Sequence, residues 1–216
     1  MVSRGTRSCA EGARQAVAEL VRDEDAQIIL MLAGTQVLPA VADACEAIGT
    51  PCLSSAFPWQ VYYYGRGADE KRPFSWTYRW GLDDIAEIFA DLWERMDDAR
   101  RPVGCLWNDG PQGTWSRHPQ HGFAPAARAR GHHLVDPAPY REGAGDLDRH
   151  VRAFADAGVG IVTSAATGQD LGLLRARARE ASCHPRLITC SRWPAYPPAV
   201  TRAGELPAHA DVATLA

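Results

Sequence analysis

The 216-residue sequence is nearly without lysine: of its 23 basic residues only Lys71 is one, the rest being arginine. That bias reads as the codon usage of a GC-rich genome, not as a need for two-pronged anion contacts. Excess charge is lacking too, with 26 acidic against 23 basic residues, a formal net charge of −3 and a pI near 6.2. This balance leaves no electrostatic footprint for nucleic acid, which is not expected as a partner, or for an anionic membrane surface. No run approaches the roughly 20 consecutive apolar residues of a spanning helix, so direct membrane insertion is not expected. The stretch Met1 to Cys9 has no apolar core of the signal-peptide kind, and the chain as written carries no export address.

Motifs that carry chemistry are equally sparse. The cysteines at 9, 45, 52, 105, 183 and 190 contain no C-x-x-C, which argues against a thioredoxin-type redox pair and a zinc knuckle. Cys45 and Cys52 stay open between a bridge across a helix-to-strand turn and a reduced, buried state. No G-x-G-x-x-G follows a predicted strand, Glu70 before the sole lysine rules out Gly-Lys-Ser/Thr, and no serine sits in G-x-S-x-G. Nucleotide-phosphate enzymes and α/β-hydrolases are thereby disfavoured, and no cofactor is expected. His118-x-x-His121 and His132-His133 lack the carboxylate of zinc-protease helices and read as loop histidines, so no metal is expected. Nothing in the sequence pairs Cys105 or Cys190 with a base, and the chain reads as a non-enzyme without catalytic residues. Arg175, Arg177 and Arg179 spread their charge over a solvated helix face.

What is present is a repeated alternation. Ala13, Val17, Leu20 and Val21 lie at helical spacing, and after Asp23-Glu24-Asp25 the run Ile28 to Leu32 reads as a buried strand. The turn Ala33-Gly34-Thr35-Gln36 leads into a helix with Val37, Val41, Ala44, Cys45 and Ile48 on one face, closed by Gly49. Pro51 to Ser55 returns as a second strand, completing a parallel βαβ unit. Residues 56–80 crowd aromatics, among them Trp59, Tyr62, Tyr63, Tyr64 and Trp76, into a loop-like stretch that is either a pocket wall, an interlobe surface or plain packing. The clearest helix runs from Asp83 or Asp84 to about Asp98.

From Pro102 the pattern restarts. Strand Val103 to Trp107 ends in Asn108-Asp109-Gly110, a polar loop holds Trp115, and a helix covers about 121–130. A strand near 133–135, a helix N-capped by Asp146, a strand at 160–164, a helix at 168–181 and a strand at 186–190 follow, before a Pro/Ala-rich end. The alternation predicts an α/β protein of two doubly wound parallel-sheet lobes. Residues 1–80 form a partial lobe one with the aromatic loop, 81–192 form lobe two, and 193–216 are a tail or the start of a return to lobe one.

The run Ala33 to Ser55, continuing to Pro58-Trp59-Gln60, resembles ABC-transporter solute-binding proteins of the branched-chain amino-acid (Leu/Ile/Val) type. Phe74 to Tyr78, the helix from Asp83, Val103 to Asp109, Gly122-Phe123, Leu134 to Asp136, Asp146 to Phe154 and Gly158 to Val162 look like successive elements of that family, in order, over about residues 10–200. The resemblance implies the periplasmic-binding-protein type I fold, in which two lobes close on a small-molecule solute like a hinged trap. It also implies delivery to a membrane permease and residence in the periplasm or at the cell surface. Family elements before residue 10 and after residue 216 are absent, so a fragment with an incomplete lobe one and unpaired sheet edges is expected. An intracellular ligand-sensing module on the same fold is the alternative, favoured by the missing export address.

At the matched positions, Gly34, Thr35 and Gln36 would present N–H groups and a hydroxyl to a polar head. Ser54, Ser55 and Ala56 would add donors and close backbone approach at the neighbouring strand end. Trp59 and Trp115 would hold an apolar tail, the latter where the family often has an aromatic residue. Amino-acid binders of this family commonly place a carboxylate at the end of the lobe-two strand. Cys190-Ser191-Arg192 stands there instead, which makes Ser191 the candidate contact and leaves the ligand open between an amino acid and an anionic or other small solute.

Overall fold

Helix α1 (Ala10–Glu24) starts at Cys9, whose sulfur accepts the Gly12 N–H at 3.3 Å, and stops at Asp25, which takes left-handed backbone at φ 50°. The structure, a computed structural model, describes residues 1–32, 34, 37–54, 58–64, 75–77, 81–96, 101–190 and 211–214, without the side chains of 75–77 and 211–214. It divides into two units, Met1–Leu82 and Asp83–Ala216.

In the first unit Ala13, Ala16 and Val17 form the buried stripe of α1, which packs on α2 (Leu38–Ile48). Helix α2 lies against a parallel sheet of order β1 (Ile29–Met31), β2 (Cys52–Ser54) and β3 (Ser75–Thr77). The register pairs Ile29 with Cys52 and Met31 with Ser54, and all four side chains are buried. Ile28, Leu30, Leu32 and Leu53 point the other way and are exposed. The expectation of a strand buried throughout therefore holds for one face only, because the pleat sends alternate side chains to opposite sides and the helix covers just one of them. Helix α3 (Trp59–Tyr63) and strand β3 occupy parts of the aromatic stretch that reads as loop in the sequence.

The second unit holds a parallel sheet of order β5 (Leu134–Val135), β4 (Val103–Leu106), β6 (Ile161–Ser164), β7 (Leu187–Cys190) and β8 (Asp211–Thr214). Strands β4, β6 and β7 are buried along their whole length, as parallel strands covered on both faces should be. Alternation along them assigns the two faces. Leu106, Val162 and Ile188 join Val151 and Phe154 of α7 (Asp148–Asp156) and Leu171 and Leu174 of α8 (Gly168–Glu180) in one core. On the opposite face Trp93 of α4 (Leu82–Met96) donates its indole N–H to Thr189 Oγ1 at 3.1 Å. Phe123, the first residue of α6 (Phe123–Ala129), packs near Phe89 and Trp107, with ring centroids 6.0 and 5.1 Å away. Helices thus cover both faces, and this unit is doubly wound.

Gly104 admits that packing: a Cβ there would sit 2.8 Å from the Phe154 ring. Two local expectations are corrected. Helix α7 begins at Asp148 behind Leu147 with no side-chain cap, so Asp146 is not its N-cap. The polar loop expected around Trp115 contains helix α5 (Pro111–Ser116), whose early proline supplies a preset φ and needs no N–H partner. Among the described residues no helix is long and apolar enough to cross a membrane.

Candidate functional site

Open parallel sheets bind ligands at the carboxyl ends of their strands, so a candidate rim lies just beyond β1 and β2 in the first unit and another just beyond β4, β6 and β7 in the second. In the first unit the chain leaves β1 through Gly34, which is exposed, with nothing within 4 Å of where a Cβ would stand. The Gly34 carbonyl accepts the N–H groups of both Val37 and Leu38 at 3.2 Å. Pro39 has no N–H, and the Ala40 N–H bonds to the Val37 carbonyl at 3.1 Å. The first donors of α2 are thus already engaged within the chain. Thr35 and Gln36 lie outside the described residues, as do Ser55 and Ala56.

Ser54 closes β2 and is buried, in register with Met31 and Thr77. Trp59, half-buried at the start of α3, meets Tyr63 and Tyr64 with ring centroids 6.0 and 5.6 Å away. Tyr63 and Tyr64 meet edge to face at 5.1 Å, so the three rings brace one another.

The second unit has a denser rim. Asn108, two residues beyond the end of β4 and 2% exposed, is its hub. Its Oδ1 accepts the Gly113 N–H at 2.9 Å, and its Nδ2 donates to the Ala165 carbonyl at 3.3 Å and to Glu142. Gly113 has to be glycine, because a Cβ would fall 1.9 Å from the Asn108 carbonyl oxygen. At the end of β6, Ser164 Oγ accepts the Ala166 N–H at 2.8 Å, and the Cys190 thiol at the end of β7 lies 3.7 Å from the same oxygen. Buried Asp170 gathers the Tyr140 hydroxyl at 3.2 Å, the Gly143 N–H at 3.2 Å and the Thr167 hydroxyl at 3.0 Å onto Oδ2. Burial, and the Asp170 carboxylate beside it, push the Tyr140 phenol up, so it stays a neutral donor. Sequence reasoning did not single out Asn108, Ser164, Tyr140 or Asp170; for Asn108 and Ser164 the signal available was a polar residue at the end of a buried apolar run.

Trp115 is half-buried near the end of α5 and stacks on His118 at 5.2 Å, which stacks in turn on His121 at 4.9 Å. His118 Nδ1 accepts the N–H groups of Gln120 and His121 at 3.3 and 3.2 Å, so this ring closes its own loop. Ser191 lies outside the described residues. Beside the rim a cavity of about 430 Å³ is lined by Tyr140, Arg141, Asp146, Arg149 and His150 among others.

Burial pushes the Cys105 thiol up, and the Cys190 thiol lies 3.7 Å from Ser164 Oγ and 3.6 Å from the Ala166 carbonyl. Among the described residues no three His, Cys, Asp or Glu side chains converge to hold a metal ion.

The sequence pattern of the family described as Periplasmic binding protein matches residues 1–216. Among curated proteins nothing matches. Solved structures do. A periplasmic binding protein type 1 from Bordetella pertussis Tohama I is 21% identical with a TM-score of 0.71, over 94% of this chain and 54% of that one. A leucine-binding protein from Thermotoga maritima MSB8 is 16% identical with a TM-score of 0.73, over 93% and 54%. An ABC-transporter solute-binding protein from Rhodopseudomonas palustris BisB5, in complex with 3,4-dihydroxybenzoic acid, is 13% identical with a TM-score of 0.67, over 89% and 50%. The chain spans about half the length of these proteins, and at such identities the likeness shows the fold: the α/β, parallel-sheet architecture of type I periplasmic binding proteins.

Proposed function

The chain belongs to the periplasmic binding protein family, and from that premise we propose that it is the solute-binding component of an ABC importer. In this reading it traps a small polar or amino-acid-like molecule between two lobes, passes it unchanged to a membrane permease, and works in the periplasm or at the cell surface. The observation that carries the reading is the rim of the second unit. Asn108 and Ser164, at the carboxyl ends of β4 and β6, and Asp170, in the first turn of α8, are all buried and held by hydrogen bonds, which makes a preorganised polar edge suited to binding. Gly34, Thr35, Gln36, Ser54, Ser55, Ala56 and Ser191 are the proposed polar contacts, with Trp59 and Trp115 against the apolar part of the solute.

Thermal-shift titration of the full chain against leucine, isoleucine, hydroxybenzoates, small carboxylates and amides tests this. A true ligand at about 100 times its Kd adds about 2.7 kcal/mol, or roughly 5–10 °C in Tm for a chain of this size. Each of Trp59→Ala and Trp115→Ala should weaken binding of that ligand several-fold. No shift across the panel, chemical conversion of the ligand, or a double variant that binds as the parent does would overturn the reading.

A further inference from the structure

The first unit contains two thiols in contact that the proposed solute rim does not use. Cys45 lies in the last turns of α2 and Cys52 opens β2, 0% and 1% exposed. The connection between them is tightly folded. The N–H groups of Gly49 and Thr50 both bond the Cys45 carbonyl at 2.9 Å, Gly49 reverses the chain at φ 77°, and Pro51 precedes the strand. The pleat turns the Cys52 side chain to the buried face against which α2 packs, and the two thiols are hydrogen-bonded to each other.

That contact moves the pair in opposite directions. The mutual hydrogen bond, reinforced by burial, pushes Cys45 up, while the same bond holds Cys52 down against the opposing effect of burial. Two buried free thiols that meet across a packed helix and strand are the starting arrangement for thiol–disulfide exchange. Of the other cysteines described, Cys9 caps α1 and Cys190 faces Ser164 and Ala166.

We propose that Cys45 and Cys52 are a disulfide-forming pair that staples α2 to β2. The oxidant is a disulfide, R–S–S–R, supplied by a small thiol compound or an exchange protein. The Cys52 thiolate attacks one sulfur of the oxidant and releases R–S⁻. The Cys45 sulfur, losing its proton, then attacks Cys52 in the mixed disulfide and releases the second R–S⁻. The two cysteine protons pass to the two leaving thiolates, so one disulfide is consumed, one is formed, and two R–SH leave. Because both sulfurs are buried, the exchange takes place while α2 docks during folding or on local opening. The ring spanning residues 45 to 52 restricts the unfolded chain, and the expected gain is roughly 5–10 °C in Tm. This inference is independent of the proposed solute.

The test uses the full chain, refolded in an oxidised and reduced glutathione buffer and alkylated under denaturing conditions. A glutamate-specific protease then cuts after Glu46, which lies between the two cysteines. The expected result is that the fragments carrying Cys45 and Cys52 stay joined until reductant is added, and that neither cysteine carries an alkyl group. The oxidised chain should melt above the reduced one, and Cys52→Ser should abolish the difference. Alkylation of both residues after refolding, or a bridge mapped to another pair, overturns the proposal. Should Cys52→Ser fail to fold, fragment mapping on the unaltered chain decides alone.

Discussion

Replacing Asn108 by alanine isolates the contribution of the second unit's hub. The side chain is almost completely buried and serves three partners from three segments: the Gly113 N–H, the Ala165 carbonyl and the Glu142 carboxylate. Truncation leaves the first two without that partner, at about 1–3 kcal/mol for each polar group orphaned away from water. Partial rehydration at the rim reduces the sum, and the net destabilisation expected is about 2–4 kcal/mol, or roughly 5–15 °C in Tm. Urea unfolding followed by far-UV circular dichroism measures it, with the slope unchanged if only the native state is affected. Asn108→Asp sharpens the test, because it keeps an acceptor for Gly113 but sets a carboxylate against the Ala165 carbonyl and Glu142. It should be at least as damaging at neutral pH and should recover in part as the new carboxyl is protonated. An alanine variant within about 0.5 kcal/mol of the parent, the range of an ordinary surface change, would refute the reasoning.

Three further outcomes follow from the same geometry. Gly113→Ala places a methyl group 1.9 Å from the Asn108 carbonyl oxygen and 2.5 Å from its Oδ1, so the backbone itself has to move; a parent-like melting curve would show that the turn is not needed. Gly104→Ala, 2.8 Å from the Phe154 ring, should cost about 1–3 kcal/mol by overpacking, and Phe154→Leu in the same chain should return part of it; strict additivity in the double-mutant cycle would argue against the contact. Burial holds the His150 imidazole below its ordinary value despite its hydrogen bond to the Ala138 carbonyl. The unfolded chain therefore takes up this proton first: stability is intact above about pH 6.5 and falls as pH drops from there through the lowered native value. Comparing urea midpoints at pH 7 and pH 5 should show a smaller loss for His150→Gln than for the parent, and equal losses would contradict the assignment.

The second unit was legible in the sequence where burial is two-sided. Val103–Leu106 and Ile161–Ser164 read as continuous apolar or small runs because helices cover both faces, and their ends fell within a residue or two of the reading. In the first unit the same logic misjudged β1, since Ile28, Leu30 and Leu32 are as apolar as their buried neighbours yet exposed. Hydropathy reports the residue, not the presence of a covering layer. Helix α5 escaped because its six residues are too short for a period, although Pro111 at its start was a usable signal. Strand β8 escaped because it is four residues long beside a Pro/Ala-rich stretch. The chemistry of the rim was half legible: Asn108 was recognisable as a strand terminus, but its three partners lie 5, 34 and 57 residues away, and such separations leave no local trace.

The bond from Trp93 to Thr189 joins groups 96 residues apart and gives the otherwise greasy seam between α4 and the sheet a direction. Aliphatic surfaces tolerate sliding, since a helix displaced along its axis finds similar oil everywhere. An indole and a hydroxyl do not, because one displaced by a turn would each lose its counterpart in a dry setting. A single polar peg thereby selects one berth for the helix out of several that hydrophobicity alone would rank as equals.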